Sequence, residues 1–440
     1  MSSKFFSQPD LYSLEKHASR STPRSGSSFL VWYHTLVLGI ALAVIYSNLP
    51  IYGYVLNPGL LPKYAFFGIF FLMMPLVLIK YRAWPAYLAS PFFACAALFL
   101  VLNLIHLAGF SQSSDIGGIY VEDSEMQAQR SLVATRVQYI LFSMVLGFGA
   151  YTSTTKSYLY FVVFLMVLLP CAVIFDFAQP GVLYPIETDG AVLGRAAAMF
   201  INPTMAGEAV LLVFLLGCAV TRMKYRVPLF LLAGAGVIAT FSRSSIIAWV
   251  LILAILILKK TLPRTAIVAT AMVVGIALAF LGTFETYLHS REELDAAFGN
   301  ILSRLNFFSS FSFDDDSSEE RADVIRAGWE LFLQNPVFGA GAGATQFWSE
   351  RGSTHNQLLL LAAEYGIGGI GLWVSLLVIL WKGTFFEDRG LQCAMTFLFV
   401  FMSLFTHQMF DSAFYWLATF ALISIRGNKT NPPSSERARK

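Results

Sequence analysis

Residues 354–357 read Thr-His-Asn-Gln and stand directly before a long apolar run. Histidine changes charge closest to neutral pH, and a neutral imidazole can act as a general base. Thr354 and Gln357 have the spacing of a capping box, which predicts a helix that begins at His355. The partial positive charge of a helix N-terminus disfavours the imidazolium form. The pattern therefore indicates a general base, or else a polar residue that only marks the end of an apolar helix.

A second candidate is Arg243, in the segment TFSRSSIIAW (240–249) between two apolar stretches. A permanent charge in such a short turn is a functional-site hypothesis by default, because a charge close to a bilayer is costly. Its guanidinium group has the planar geometry that binds phosphate oxygens in pairs. Arg195 and Arg321 could join it, and two or three arginines around a neutral base would suit a lipid-linked pyrophosphate leaving group. The alternative is an arginine that only snorkels to the membrane surface.

The composition indicates whether the protein that holds these residues lies in water or in a membrane. Of the 440 residues, 56% are hydrophobic and only 13% are charged, whereas soluble domains average about a quarter charged residues. The four cysteines have no metal-ligand or redox spacing, and no metal is expected. We predict an all-α polytopic membrane protein with about twelve transmembrane helices and a large, partly helical outer loop. The predicted spans are 29–49, 64–80, 91–109, 137–153, 158–177, 206–221, 227–242, 245–258, 265–284, 356–381, 391–408 and 412–426.

The distribution of charge predicts the orientation. With both termini in the cytoplasm, the inner segments hold 20 of the 30 lysines and arginines, as the positive-inside rule requires. The chain then divides into a disordered basic tail (1–28), nine transmembrane helices (29–284), a periplasmic loop (285–354), three transmembrane helices (355–426) and a second cytoplasmic tail (427–440). Nine of the ten basic residues on the outer side are arginines, which suggests that this face handles anions.

The outer loop contains a predicted amphipathic helix within SSEERADVIRAGWELFLQNP (317–336). Ser318 is its expected N-cap, and Asn335 with Pro336 ends it. Arg321 lies in its first turn and Arg326 on another face. Its expected apolar stripe consists of Val324, Ile325, Trp329, Leu331 and Phe332. The following GAGAG (339–343) is predicted to be a flexible turn that leads back to the membrane rather than a phosphate-binding loop, because no strand precedes it and no Gly-Lys-Ser/Thr follows.

Four segments together resemble the O-antigen ligase and O-antigen polymerase superfamily of bacterial envelope glycosyltransferases. GRAAAMFINPTMAGEAVL (194–211) is similar to the family's arginine and Asn-Pro segment, and TFSRSSIIAW (240–249) to its Thr/Ser-x-Ser/Thr-Arg motif. ERADVIRAGWELFLQNPVFGAGAG (320–343) resembles its outer-loop helix with a glycine turn. THNQLLLLAAEYGIGG (354–369) resembles its His-Asn-x-x-Leu motif. The resemblance covers about residues 194–369, and the first five spans match in hydropathy alone.

The resemblance implies a helical bundle in the bacterial inner membrane with its active site on the periplasmic side. The implied reaction moves a glycan from undecaprenyl pyrophosphate to a sugar hydroxyl on the lipid A core or another glycan acceptor, with probable inversion. It uses no nucleotide sugar, metal, other cofactor or nucleic acid. By motif, His355 would be the general base, and Arg243 and Arg321 would hold the pyrophosphate. The expected substrate-binding residues are Arg195, Arg326 and Asn356.

Some alternatives stay open at this point. The choice of Arg321 over Arg326 depends on spacing to Asn335 and Pro336 and is ambiguous by one helical turn. The same superfamily includes O-antigen or exopolysaccharide polymerases and protein O-oligosaccharyltransferases, which differ in their acceptors. A flippase or transporter for an anionic polyprenyl lipid is a fourth reading. It is disfavoured because the polar candidates cluster on the outer side, and the sequence contains no paired interrupted helices in two repeated halves.

Overall fold

The computed structural model describes the membrane-embedded part of the chain and two parts of the outer loop. The described residues are 28–109, 115–116, 119–120, 123–185, 187–188, 191–192, 194–279, 316–347, 354–406 and 409–424. Residues 1–27, 280–315 and 425–440 lie outside them, so the placement of the predicted tails and of this part of the outer loop stays a prediction. The side chain of Arg321 lies outside the described part as well, although its backbone is described.

Helices dominate the described residues, in agreement with the predicted all-α class. The first half contains α1 (Ser28–Tyr46), α2 (Leu49–Leu56), α3 (Pro62–Ile79), α4 (Trp84–Leu88), α5 (Pro91–Leu107), α6 (Asp123–Thr152), α7 (Leu159–Ala178) and α8 (Pro203–Gly217). The second half contains α9 (Met223–Ala239), α10 (Arg243–Leu258), α11 (Thr265–Ala279), α12 (Asp316–Gln334), α13 (Ala344–Phe347), α14 (Gln357–Lys382), α15 (Arg389–Ser403) and α16 (Tyr415–Ile423). Two short 3₁₀ segments, Tyr81–Ala83 and Ala198–Phe200, and an antiparallel pair of two-residue strands, β1 (Asp115–Ile116) and β2 (Ile119–Tyr120), complete the described elements.

Every predicted span falls on a helix, but the predicted number of membrane crossings is not confirmed. Within the described residues five helices are long and apolar enough to cross a bilayer, and a sixth is possible if the pair 81–88 and 91–107, bent by 77°, is one broken span. Four further apolar helices have only 10–17 residues, fewer than the roughly 20 that a bilayer core requires. The protein is therefore a multi-pass membrane protein with fewer demonstrable crossings than about twelve.

Exposed and buried apolar residues divide the bundle into a lipid-facing shell and a packed interior. Phe71 on α3 and Phe164 on α7 are 70% and 62% exposed, as expected for side chains that face lipid. By contrast, every residue of α8 except Thr204 is buried, because α8 packs against α7, α9, α10 and α15. A mostly apolar helix that is buried on all sides forms the centre of a bundle, and the one carboxylate of α8, Glu208, accepts hydrogen bonds from Thr406 and Trp416.

Hydrogen bonds between helix ends sort into two groups that match the predicted sides of the membrane. At the predicted inner side, Lys80 Nζ donates to Thr152 O (2.7 Å), and Arg226 Nη1 donates to Asp388 Oδ2 (2.8 Å). At the predicted outer side, Tyr52 donates from its hydroxyl to Leu183 O (2.6 Å). The sides themselves and the orientation of the chain stay predictions.

Helix α14 is not one straight span, because its backbone breaks at Gly366 with φ 60° and ψ −142°. A Cβ at Gly366 would lie 2.5 Å from Val337 O and 2.6 Å from Pro336 O, so a larger residue does not fit. Ile367 N also donates to Pro336 O (2.8 Å). The break divides α14 into a buried first part that carries the site described below and a second part that returns across the membrane.

Candidate functional site

The N-termini of α8 and α10 meet at the predicted outer end of the bundle, and the N-terminus of α14 is linked to α8 through the chain between Met409 and Tyr415. Ser242 Oγ, just before α10, lies 3.3 Å from Thr204 Oγ1 in the first turn of α8. The α14 end is tied to the chain before α16, because Met409 N donates to Gln357 Oε1 (2.9 Å). That chain in turn reaches α8, since the Tyr415 hydroxyl donates to Met205 O (3.4 Å). Two N-termini at one place supply partial positive charge and N–H groups, the features that attract an anion.

The α8 terminus explains the Asn-Pro motif near 202 in structural terms. Asn202 is the N-cap of α8, and its Oδ1 accepts from Thr204 N (2.9 Å) and Met205 N (3.4 Å). Pro203 then occupies the first helical position, where a missing N–H costs nothing. Asn202 therefore stabilises α8 as its N-cap.

Arg195 and Arg243 are brought to the same turn. Arg195 Nε donates to Thr240 O (3.2 Å), and the adjacent Ala196 N donates to Ala239 O (3.3 Å). Thr240 is only three residues before Arg243, which is the first residue of α10. The turn between them is tight, with Phe241 at φ 47°. The structure thus joins two of the predicted arginines, which are 48 positions apart in the chain.

Hydrogen bonds to Asp176 on α7 hold the segment that carries Arg195. Asp176 Oδ2 accepts from Ala197 N (2.8 Å), Ala198 N (2.9 Å) and the Tyr184 hydroxyl (3.2 Å), and the aspartate is buried. A carboxylate with three donors is a strong anchor in a buried setting, because charge-assisted hydrogen bonds are roughly twice as strong as neutral ones. Asp176 is a positioning residue that the sequence analysis did not identify.

His355 lies beside the α14 terminus, but the helix does not begin where the capping box predicted. The N-cap is Asn356, whose Oδ1 accepts from Leu359 N (3.0 Å), and the helix starts at Gln357. The prediction was wrong because Gln357 spends its side-chain oxygen on Met409 N (2.9 Å) instead of on the backbone of Thr354. Asn356, predicted to bind substrate, therefore has a structural role in capping α14.

The backbone of His355 is itself unusual. His355 has φ 48°, the left-handed region that non-glycine residues rarely adopt, and it is half-buried. The preceding Thr354 is fully buried and donates from its hydroxyl to Asn356 O (3.3 Å). A strained backbone between a buried residue and a helix cap is a feature often found at functional sites.

Helix α12 packs directly against this segment, which brings the outer-loop helix to the candidate site. A Cβ placed on Gly328 would lie 2.9 Å from Thr354 Cγ2 and 3.0 Å from Leu359 Cδ2, so the two helices are in close contact. The predicted apolar stripe is only partly correct. Val324 and Leu331 are buried, together with Ala327, whereas Ile325 and Trp329 are 42% and 52% exposed.

The two arginines of α12 differ in what the structure describes. The backbone of Arg321 lies in the second turn of α12, because the helix begins at Asp316 rather than after Ser318 as predicted. Arg326 is exposed and lies 3.6 Å from Asp323 on the same helix. An exposed pair at this spacing contributes little energy, so Arg326 is a solvated residue in this structure.

The glycine turn after α12 is buried rather than flexible, which corrects the sequence prediction. Ala340 N donates to Ala363 O (2.8 Å), and Gly341 N donates to Glu364 O (3.2 Å), so the turn lies along the first part of α14. Gly339 has φ 77°, and a Cβ there would collide with the carbonyl of Glu364. Two contacts hold Ala342, whose O accepts from Gln129 Nε2 (2.7 Å) and whose N donates to His106 Nδ1 (2.9 Å).

Beneath this turn lies a buried charge network that the sequence analysis missed, which we call the Arg136 network. Arg136 donates to Asp411 through Nε (2.5 Å) and Nη2 (2.8 Å), and through Nη1 to Glu364 Oε2 (2.5 Å). Each carboxylate also accepts a hydrogen bond from a neutral donor. Thr345 Oγ1 donates to Glu364 (3.1 Å), and Gln346 Nε2 donates to Asp411 (3.1 Å).

The Arg136 network joins the elements that carry the candidate site. It ties α6 and α13 to α14 and to the chain just before α16. A tyrosine extends it to α5, since Arg136 Nη1 also donates to the Tyr365 hydroxyl (2.8 Å), which donates to Asn103 Oδ1 (2.9 Å). The sequence suggested a packing role or a supporting role behind the site for Glu364, and for Asp411 either an orienting pair with His407 or a simple cap. His407 lies outside the described residues, and Asp411 pairs with Arg136.

One signal for this network was present in the sequence. Arg136 and Glu364 both lie in or at the edge of apolar stretches, where an ionisable residue normally has a partner. Nothing in the sequence indicated which residues pair, because Arg136 and Asp411 are 275 positions apart.

Comparison with known families agrees with the motifs. Residues 228–374, one third of the chain, match a family model described as O-antigen ligase. The match includes Arg243, α12 and His355, and it confirms the resemblance to the O-antigen ligase and polymerase superfamily. It supports glycosyltransferase activity of that family in general. No curated protein matches the chain.

Proposed function

We propose that this protein transfers a glycan from undecaprenyl pyrophosphate to a sugar hydroxyl at the periplasmic face of the bacterial inner membrane, as an O-antigen ligase does. The observation that carries the proposal is the meeting of Arg195, the Arg243 turn and the N-termini of α8 and α10 at one end of the bundle. His355 lies beside the N-terminus of α14, which the chain between Met409 and Tyr415 links to α8. A diphosphate needs a concentration of positive charge, and an acceptor hydroxyl needs a base.

In the proposed step the acceptor oxygen attacks the anomeric carbon of the donor glycan. The new carbon–oxygen bond forms as the bond between that carbon and the diphosphate oxygen breaks. His355 takes the hydroxyl proton, and the electron pair leaves with undecaprenyl diphosphate. Attack from the side opposite the leaving group inverts the anomeric configuration.

The arginines have the complementary task of stabilising the diphosphate as its charge develops. Arg243 is placed for this role because it stands at the N-terminus of α10, where the helix dipole adds to the guanidinium charge. Arg195 acts with it from the facing segment, and Arg321 is contributed by α12, which packs beside His355. Arg326 stays a weaker candidate, because its described partner is Asp323.

The carboxyl-rich Arg136 network supports the site from below without touching the reacting groups in this proposal. It holds the glycine turn and α13 on α14, and so fixes the angle at which α12 approaches His355. Placement to within about 0.5 Å is what makes a general base effective, which gives a rigid support a functional purpose.

The test is glycan transfer by the full chain in a bacterial strain that lacks its own copy. His355→Ala should lower transfer by about 100-fold to 10,000-fold, the usual contribution of a general base. Arg243→Lys should be nearly as damaging as Arg243→Ala, because lysine cannot bind phosphate through a planar pair of donors. Arg222→Lys, on the predicted inner side and exposed, is the matched control and should retain transfer.

The product that accumulates distinguishes the members of the family and the transporter. A ligase defect leaves full-length glycan on its lipid carrier, a polymerase defect leaves single repeat units, and a flippase defect leaves the glycan on the cytoplasmic side. Loss of glycan from periplasmic proteins would favour a protein O-oligosaccharyltransferase. Undiminished transfer by His355→Ala at equal membrane levels would refute the general-base role.

A further inference from the structure

A basic groove lies at the opposite end of α10 from Arg243. It is a cavity of about 620 Å³ between the start of α9, the end of α10 and the start of α11. Three cations line it, Lys224, Lys260 and Arg264, and we call it the inner groove. Helix α10 has 16 residues, so about 24 Å separates the inner groove from the Arg243 end.

The positive charge of the inner groove is not neutralised by the protein. Lys224, Lys260 and Arg264 are exposed, and no carboxylate of the described residues forms an ion pair with them. Asp388, which contacts Thr261 next to Lys260, is already engaged by Arg226 Nη1 (2.8 Å) and Thr261 Oγ1 (2.7 Å). The groove therefore presents three cations to an external anion.

The remaining wall of the groove is apolar and exposed. Met223 is 53% exposed and Leu258 is 80% exposed, and Val227 lies between them and the bundle. Leu258 is the last residue of an apolar helix and Lys259 follows it, so the groove spans the boundary between hydrocarbon and head groups. Cations next to exposed apolar side chains at this depth match the two parts of a phospholipid.

We propose that the inner groove binds an anionic phospholipid of the cytoplasmic leaflet. The phosphate would lie among Lys224, Lys260 and Arg264, and the acyl chains would lie along Met223 and Leu258. Basic pockets between helices at the cytoplasmic surface are known to favour such head groups, because each cation near the surface attracts the negative leaflet. A free phosphate would use the cations but gain nothing from the apolar wall.

The proposal is tested by lipid binding to the purified full chain, with the melting temperature in mixed micelles as the readout. Phosphatidylglycerol is expected to stabilise the protein, and phosphatidylcholine to do so far less. The double variant Lys260→Gln/Arg264→Gln should weaken the apparent affinity for phosphatidylglycerol about fivefold for each cation removed. A charge-matched control, Arg82→Gln/Lys382→Gln, removes two exposed cations of the same predicted side and should bind as the wild type does.

Two further measurements distinguish a specific lipid site from general electrostatic attraction to the protein surface. Leu258→Gln should weaken binding of phosphatidylglycerol but leave the response to inorganic phosphate unchanged. If the control variant lost as much affinity for phosphatidylglycerol as Lys260→Gln/Arg264→Gln, the proposal would be overturned, because the effect would then depend on total surface charge. Stabilisation by inorganic phosphate as strong as by phosphatidylglycerol would also overturn it. Glycan transfer does not enter these measurements, so the outcome is independent of the proposed reaction.

Discussion

Two arginine–aspartate pairs, one at each end of the bundle, show how burial changes what an ion pair requires. Arg136 and Asp411 have side chains that are 2% and 9% exposed, whereas those of Arg226 and Asp388 are 12% and 26% exposed. Each pair includes a nitrogen–oxygen contact of 2.8 Å. The buried pair has two nitrogen–oxygen contacts, through Nε and Nη2, and the inner pair has one, so the pairs differ in geometry as well as in surroundings.

The surroundings of the buried pair are specialised in a way that those of the inner pair are not. A buried charge loses its hydration, so each remaining lone pair must find a donor within the protein. Glu364 and Asp411 obtain theirs from Thr345 and Gln346, while the partly exposed Asp388 can also use water. Both pairs join several helices, but only the buried pair depends on the protein alone for its remaining donors.

The largest expected effect follows from removing the buried cation alone. Arg136→Met leaves Glu364 and Asp411 buried without their partner, which should lower the free energy of unfolding by about 3–5 kcal/mol. The measurement is denaturant unfolding of the purified protein in detergent. Arg226→Met is the matched control at the inner end, where about 1 kcal/mol or less is expected. Similar losses in the two variants would mean that burial does not distinguish the pairs.

An intermediate effect is expected when the whole buried charge set is neutralised. The triple variant Arg136→Met/Glu364→Gln/Asp411→Asn removes the uncompensated carboxylates, so it should recover most of the stability lost by Arg136→Met and come within about 2 kcal/mol of the wild type. The same unfolding experiment measures it. A triple variant as unstable as the single one would assign the effect to packing and hydrogen-bond geometry rather than to charge.

The smallest effect concerns the inner pair and its pH dependence. Burial raises the pKa of Asp388, but hydrogen bonds from Thr261, Arg226 and Gly390 N outweigh it and hold the pKa below its usual range. The carboxylate therefore adds stability that is fully present above about pH 4 and is lost as the pH falls through the lowered value. Solvent screening limits this contribution to about 1 kcal/mol.

Asp388→Asn tests that expectation by comparison of stability curves between pH 3 and pH 6. The variant should be slightly less stable than the wild type at pH 6, and the difference should shrink as the pH falls. A difference that stays constant or grows on acidification would contradict the lowered pKa of Asp388. The asparagine keeps an oxygen for Gly390 N, so the cap of α15 is conserved in the comparison.

Much of the site could be predicted because it is built from local signals. Arg243 in a short turn, the break after Gln334 at Asn335 and Pro336, and a helix start near His355 all depend on neighbours in the sequence. Where prediction failed, a distant group had intervened. The capping box at Thr354 does not form because Gln357 accepts a hydrogen bond from Met409 N. The glycine turn is buried because α14 lies against it.

The sequence by itself determined that the chain is helical and embedded in a membrane, because hydropathy is a property of each segment taken alone, and its charges predict which segments lie on each side. It also placed His355 and Arg243 at the ends of apolar segments. Only the tertiary structure decided that α8 forms the centre, that α14 breaks at Gly366, and that Arg136 binds Asp411 and Glu364. These features arise from contacts between residues far apart in the chain, and such contacts depend on how the helices pack.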